Sequence, residues 1–390
     1  MISLEDARSL IRSHTGALPS VATALSESCG GILSEAILSD GFYPSGDRST
    51  MDGYAIGGDE MAGTFTVVGE VAAGAVVSQE LGSHEAMRIF TGALIPAGGG
   101  RVIMQEDVIR DGDEILVTQF SENRFIREKG SEAQPGQILL PDGARLGPAE
   151  IAMLAQVGAI CPKIVRFPRI RHLATGDELV APSSLPGPGQ IRDTNSSLLA
   201  ALLSEMGLHD LHSSRVADDP EALASLAEGT WDVLLISGGA SVGDYDFGAE
   251  TLTRLGFEIH FSRVNLRPGK PLTFATRGEK IAFVIPGNPV SHFVCFHVAI
   301  HLALERLCGR PEAWDFLNLE ITGGAPVQAD PRETFWPAHV SIREGNLVIA
   351  PKRWSTSGDT FSLAGTNALA RVNASSPSAG FIQAFLLHPL

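Results

Sequence analysis

Three short polar runs in this chain each follow directly on an apolar run. Thr175-Gly176-Asp177-Glu178 follows RIRHLA, and Pro286-Gly287-Asn288-Pro289 follows IAFVI. Between them, Ser237-Gly238-Gly239-Ala240-Ser241-Val242-Gly243-Asp244-Tyr245-Asp246 follows DVLLI. Ser237-Gly238-Gly239 carries no bulky side chain, so its backbone N–H groups can approach phosphate oxygens closely. A helix after this loop adds the positive end of its dipole. Asn288 is placed to cap the next helix, with Pro289 at the first helical position, leaving N–H groups free to meet a ligand. Lys270, in Arg267-Pro268-Gly269-Lys270-Pro271, supplies a compact positive charge on a turn stiffened by prolines. Glu178 and Asp246 then put negative charge where phosphate is expected, which makes sense only with a divalent cation between them. Mg2+ is the expected ion, because carboxylate and phosphate oxygens are its preferred ligands.

Other chemistries are disfavoured by what is missing. No GK[ST] follows the glycines and there is no GxGxxG, which disfavours ATP hydrolysis and dinucleotide binding. His297 and His301 are spaced for one helix face, but HVAIH lacks the glutamate of a zinc protease and reads as packed or capping histidines.

The elements that position the three loops follow from residue 168 onward. RIRHLAT reads as a buried strand and DTNSSLLAALLSEMG as a capped helix ending at Gly207. LHDLHSSRV reads as a strand, DDPEALASLAEG as a helix, WDVLLISGG as a strand and FGAETLTRLG as a helix. IAFVIPGNPVSHFVCFHVAIHLALERLCG adds a strand, a sharp turn and a long helix. Strands alternating with helices predict βαβ units and a mostly parallel sheet over residues 168–314. In such a sheet ligands bind outside the carboxyl ends of the strands, so the loops converge on one rim.

The first third is different in texture. Strand-length apolar runs broken by Gly and Pro predict a β-rich module over residues 39–136. It holds the compact polar run 47–55, DRSTMDGYA, and Thr91-Gly92-Ala93-Leu94-Ile95-Pro96 ahead of the acidic pair Glu106 and Asp107. The residues after 315 return to short strands and predict a small β-domain.

At 390 residues the chain is too long for one ordinary core, and its 44% hydrophobic and 19% charged composition is that of a globular protein. Forty-five acidic against 29 basic residues leave a charge of −16, which repels nucleic acid and a bare anionic membrane surface. The four cysteines form no CxxC pair, which argues against a zinc ribbon or a disulfide framework and for a reducing, cytoplasmic setting. MISLEDARSLIRSHTG has no apolar h-region and reads as an amphipathic helix rather than a secretory signal. The apolar stretch 290–304 carries His292, His297 and His301, which fits a buried helix better than a membrane span.

STMDGYAI, RIFTGALIPAGGGRVIMQED, TGDELV, GQIRDTNSSLL, ISGGASVGDYD, RPGKPLTF and IPGNPVS occur in this order. Together they resemble the molybdopterin molybdenumtransferase family, which includes bacterial MoeA proteins and the gephyrin E domain. The resemblance implies an elongated homodimer of multidomain α/β and β chains. Its three-layer parallel-sheet α/β domain, residues 168–314, is similar to molybdopterin adenylyltransferase. A helix in residues 1–20 packs on that domain, residues 21–38 and 137–167 form a connecting domain, and residues 39–136 the β-rich domain. Residues 315–390 form a C-terminal β-barrel-like domain.

The reaction implied by the resemblance consumes adenylylated molybdopterin and molybdate, releasing AMP and molybdenum cofactor. By motif position it implies Asp52, Thr91, Glu178, Asp218 and Asp246 as catalytic residues, with Glu178, Asp218 and Asp246 holding Mg2+. Ser237, Gly238, Gly239, Ser241, Arg263, Arg267, Lys270, Pro286, Gly287, Asn288 and Pro289 are implied to bind substrate. The cleft is expected to be shared in the dimer, the β-rich domain of one subunit facing the α/β domain of the other. The molybdopterin adenylyltransferase is a further partner the resemblance allows. Arg263 and Arg267 stand where the family usually has lysines, Gly130-Ser131-Glu132 where Gly-Glu-Asp is common, and Arg48 where asparagine is frequent. The tail matches loosely at Ser357-Gly358-Asp359 and at Arg332. Two alternatives stay open on the sequence: the adenylyltransferase acting one step earlier, and a non-catalytic scaffold.

Overall fold

The structure, a computed structural model, describes every residue except 59–61, 77, 240–246, 313, 326, 328–329, 373–379 and 388–390. Two compact units emerge, one of residues 35–144 and 148–162, the other of residues 1–34, 145–147 and 163–390.

The larger unit is organised on a 6-stranded sheet. Its order is Leu211–Val216, Ile170–Thr175, Val233–Ser237, Lys280–Ile285, Thr273–Arg277 and Glu258–Phe261. The first four strands are mutually parallel, and the last two add an antiparallel edge. That edge, from GFEIHF and PLTFATR, is an addition to the expected strand–helix alternation.

Side-chain alternation along the central strands makes the domain three layers deep. Val233 and Leu235 join a core with Leu199, Leu203 and the helical residues Val294 and Val298, whereas Leu234 and Ile236 join Leu223 and Leu252 on the opposite face. Each such aliphatic side chain, fully buried, contributes about 1.5–3 kcal/mol. Leu4, Ala7 and Ile11 of the N-terminal helix Leu4–His14 enter the first of these cores. Ser3 and Asp6 form a capping box at its start, Asp6 N donating to Ser3 Oγ at 3.0 Å.

The helices start where short polar residues can take their free N–H groups. Asp193 accepts from Ser196 N at 3.0 Å and opens Thr194–Glu205, which stops before Gly207 at φ 74°. Asp219 opens Pro220–Leu226 by accepting from Glu221 N at 3.1 Å. Pro289–Leu307 is long and apolar enough to cross a membrane by length and composition, but 83% of its apolar window is buried inside the protein. Its middle, Phe296–Ile300, is a π-helical turn. Arg8 Nη1 donates to the Val298 carbonyl there at 2.6 Å.

The C-terminal strands close on themselves. Glu333–Arg343 pairs with both Asn346–Pro351 and Ala368–Val372, and the ring is completed through Leu317–Ile321 and Phe381–Leu386. Leu266–Arg267 joins this sheet in parallel, with Leu266 opposite Glu333 and Arg267 opposite Thr334. A segment leaving the α/β sheet therefore becomes a strand of the tail barrel.

In the smaller unit a 6-stranded sheet runs Gly99–Met104, Gly53–Gly57, Glu85–Ile89, Thr64–Val71, Glu114–Val117 and Val108–Asp111. Gly53 is required there, because a Cβ would lie 1.9 Å from the Ile103 carbonyl oxygen. A short pair in the same unit joins Ile37–Leu38 to Ile138–Leu140, and another in the larger unit joins Ser20–Ala22 to Lys163–Val165.

Candidate active site

The carboxyl ends of the parallel strands open into a cleft of about 780 Å³. Among the described residues, Thr175, Gly176 and Glu178 line it from the first strand-end loop, Ser237, Gly238 and Gly239 from the second, and Pro286, Gly287 and Asn288 from the third. Asp218 reaches it from the end of Leu211–Val216. A larger hollow of about 1170 Å³ lies on the C-terminal domain and contains none of these loops.

Backbone geometry makes the second loop a close-approach turn. Gly238 has φ 95° and Gly239 φ 65°, and a Cβ on Gly238 would lie 2.5 Å from the Thr175 carbonyl oxygen. Only glycine satisfies both demands at Gly238. Thr175 is 4% exposed, and its Oγ1 is buried beside this turn without a hydrogen-bond partner among the described residues. Beneath the turn, the Ser237 hydroxyl lies 2.8 Å from His172 Nε2 and 2.8 Å from His292 Nε2. Burial pushes His172 down to about 4 and His292 to about 3, so both imidazoles are neutral.

The charges around the cleft have both signs. Glu178 and Asp218 are exposed carboxylates, and Asp218 N donates to Asp177 Oδ1 at 3.3 Å, linking the two acidic loops. On the other wall stand Arg267, Lys270 and Arg332. Arg267 pairs closely with Asp330, and Arg332 Nε lies 3.2 Å from the same carboxylate. Burial would raise Asp330, but hydrogen bonds from Arg332 and Arg267 outweigh it and hold the carboxyl near 2. One carboxylate thus serves two guanidiniums, and the arginine wall keeps a positive balance. Lys270 has no ion-pair partner among the described residues, which leaves its ammonium available to an anion.

Asn288 corrects an expectation. It occupies the N-cap position with Pro289 next, but its side chain makes no capping bond. Its amide donates instead to Ser357 Oγ at 2.8 Å, and Val290 N donates to the Ser357 carbonyl at 2.9 Å. The tail supplies the acceptor that the asparagine was expected to be, so the Val290 N–H is not free for a ligand.

Two models of known families match the chain, one described as the MoeA N-terminal region (domain I and II) over residues 2–158, the other as a probable molybdopterin binding domain over residues 171–306. The molybdopterin molybdenumtransferase of Nostoc sp. is 36% identical over 359 residues, covering 87% of this chain and 82% of that protein. The chain belongs to the molybdopterin molybdenumtransferase family. A second relative in that family, from Bacillus subtilis, is 32% identical over 361 residues, covering 88% of this chain and 84% of its own. Among solved structures, a molybdopterin biosynthesis MoeA protein from Pyrococcus horikoshii superposes with a TM-score of 0.80 at 28% identity, covering 100% of both chains.

Not every residue that the molybdopterin molybdenumtransferase motifs single out lines the cleft. Arg263 is exposed and absent from its walls, its carbonyl accepting from Ile2 N at 3.1 Å; Pro289 begins the helix behind the third loop. Ser241 and Asp246 lie outside the described residues. Asp52 and Thr91 belong to the smaller unit. There Asp52 Oδ1 accepts from Thr91 N at 2.7 Å and from Thr91 Oγ1 at 2.9 Å, and these bonds, the backbone one first, hold its carboxyl below the usual range. Two departures from the family pattern have local partners. Arg48 Nη1 donates to the Gly92 carbonyl at 2.6 Å, and Glu132 pairs with Arg127 at 2.9 Å.

The structure also brings in residues the sequence reading did not assign to the site. Asp193 lines the cleft, and Asn195 Nδ2, on the helix Thr194–Glu205, donates to the Gly287 carbonyl at 2.6 Å and fixes the third loop. Arg332, Trp354, Ser355, Thr356 and Ser357 line the cleft from the tail. Their signal was present in the loose matches at Arg332 and Ser357, and in DTN directly before a helical pattern.

Proposed function

We propose that this protein is a transferase of molybdenum cofactor biosynthesis that inserts molybdenum from molybdate into adenylylated molybdopterin, releasing AMP. One observation carries the reading at the level of chemistry. A glycine turn, a lysine without an ion-pair partner among the described residues, two arginines and two exposed carboxylates converge on a single cleft.

Each group has a task in that reaction. The turn at Gly238 and Gly239 lets main-chain amides beyond Gly238, whose own N–H is bonded to the Ile285 carbonyl, come within reach of phosphate oxygens, and a side chain at Gly238 would distort it. Lys270, Arg267 and Arg332 oppose the negative charge of the phosphates and of molybdate. Arg267 and Arg332 are oriented by Asp330, so their forks are set before substrate arrives. Asn195 and Ser357 hold the third loop, which fixes the width of the cleft.

The carboxylates fit Mg2+, which takes oxygen ligands and is usually held by one or two carboxylates together with substrate phosphates. Glu178 and Asp218 are the described residues that would hold it, with Asp246 the third implied ligand. Bound there, the ion would neutralise charge on the phosphoanhydride being cleaved. Glu178 and Asp218 would otherwise repel that anhydride, so their role depends on the cation.

Asp52 and Thr91 act, on this reading, as a preformed polar pair presented by the β-rich domain to the cleft of a second copy in a homodimer. The two hydrogen bonds that Thr91 donates keep the Asp52 carboxylate ionised and oriented. A cytoplasmic location and transient contact with the molybdopterin adenylyltransferase complete the proposal. Both suit an adenylylated substrate passed between enzymes.

Complementation of a strain lacking molybdenum insertion tests the reading against a scaffold role. The wild-type gene restores molybdoenzyme activity and the Glu178→Ala, Asp246→Ala double variant does not. Full rescue by the double variant would exclude catalysis at this cleft.

A further inference from the structure

Beneath the glycine turn runs a line of polar side chains on one face of the sheet. Ser213 Oγ lies 2.8 Å from His172 Nδ1, His172 Nε2 lies 2.8 Å from Ser237 Oγ, and Ser237 Oγ lies 2.8 Å from His292 Nε2. His172 and His292 are 0% exposed and Ser237 is 2% exposed. Ser213, at the outer end, is on the exposed edge strand, directly opposite His172 in register.

Proton counting sets the direction of this chain. A neutral imidazole donates from one nitrogen and accepts at the other, and a hydroxyl has one proton to give. His292 Nδ1 is buried with no hydrogen-bond partner among the described residues. A bare lone pair there is cheaper than an N–H without an acceptor, so the proton of His292 sits on Nε2. His292 Nε2–H then donates to Ser237 Oγ, Ser237 O–H donates to His172 Nε2, and His172 Nδ1–H donates to Ser213 Oγ. The only proton on the Ser237 hydroxyl is thereby committed inward, away from the cleft.

The three inner residues come from three different elements. Ser237 ends the central strand, His172 is on its neighbour Ile170–Thr175, and His292 is in the first turn of the helix after Pro286-Gly287-Asn288. Their bonds tie the second and third loops to the sheet at the residue where the glycine turn begins. Gly238 N, the next group along, donates to the Ile285 carbonyl at 3.0 Å.

We propose that His172 and His292 are positioning residues for the transferase reaction: acting through the Ser237 hydroxyl, they fix the Ser237-Gly238-Gly239 turn as the cradle for the phosphate-bearing substrate. This inference rests on the functional reading above. It also gives Ser237 a different part from direct donation to substrate, because its hydroxyl is already spent.

The test is a KM-against-kcat split in purified His292→Leu, His292→Gln and Ser237→Ala. His292→Leu keeps bulk and removes the donor, and it is expected to raise KM for adenylylated molybdopterin about tenfold with kcat within about twofold. His292→Gln, which can place an amide N–H near the former Nε2, is expected to recover most of that loss. Because the histidine acts through the serine, the Ser237→Ala, His292→Leu double variant should be no worse than His292→Leu alone. An unchanged KM in His292→Leu, or fully additive effects in the double variant, overturns the proposal. If His292→Leu does not fold, Ser237→Ala carries the test alone, and an unchanged KM there overturns it equally. Failure of the functional reading is separate and visible in the wild type, which would then release no AMP.

Discussion

Asn288 and Ser357 are joined side chain to side chain: the Asn288 amide donates to Ser357 Oγ at 2.8 Å, and two residues on Val290 N donates to the Ser357 carbonyl at 2.9 Å. Through this pair the tail barrel becomes a wall of the cleft rather than an appendage. Ser357→Ala and Asn288→Ala should each raise KM by roughly threefold to tenfold, and the double variant should match the worse single one. Neither should shift Tm by much, since one exposed hydrogen bond is worth about 1 kcal/mol. Steady-state kinetics on the three variants checks this.

Glu178 and Asp218 are exposed, so removing either costs little stability. Glu178→Gln and Asp218→Asn should lower kcat/KM by about a hundredfold and raise the Mg2+ concentration needed for half-maximal rate. A Mg2+ titration of initial rates reads both effects. Chelation of the wild type should reproduce the loss and added Mg2+ should reverse it.

Arg8 is 1% exposed, donates to the Val298 carbonyl in the π-helical turn, pairs with Glu312 and lies 3.7 Å from the Trp314 ring centroid. Arg8→Ala leaves the buried Val298 carbonyl without this donor, while Glu312 keeps Arg12 at 2.9 Å, and should cost about 1–3 kcal/mol of stability. Arg8→Lys should recover little, because an ammonium cannot replace the fork and the stacked plane together. Thermal denaturation of both variants tests this; KM of the folded fraction should be unchanged.

Much of the fold is legible in the residues because it depends on local pattern. VLLIS and IAFVI are short, rich in β-branched residues and bounded by Gly or Pro, which favours strands buried on both faces, and Asp193 and Gly207 mark the ends of their helix wherever it packs. The rim then follows from topology. Less legible are contacts that span the chain. Arg332 and Ser357 enter the cleft because Leu266–Arg267 pairs with Glu333–Arg343, a register no local pattern specifies. His172 and His292 are 120 positions apart in number and meet only through Ser237. Asn288 has the composition of a cap, yet Ser357 competes for it from a different domain.

Asp232, like Asp330, should contribute to the acid limb of stability. It is 7% exposed; burial would raise its carboxyl, but bonds from Arg166 at 2.7 Å and from Arg169 hold it near 2. The folded value is below the unfolded one of about 3.9, so the stabilisation is complete above pH ~4 and is lost as pH falls toward 2. It amounts to roughly 1–2 kcal/mol. Tm measured from pH ~7 to ~2 should fall steeply below pH ~4, and Asp232→Asn should be less stable at pH ~7 with a shallower acid limb.

The most direct measurement is AMP release by the purified protein given adenylylated molybdopterin, with molybdate and Mg2+ added or withheld. AMP should appear one-for-one with molybdenum incorporated, only when both are present, and should disappear in Glu178→Ala. Absence of AMP release from the wild type, or adenylylation of molybdopterin from ATP in its place, would contradict the assignment.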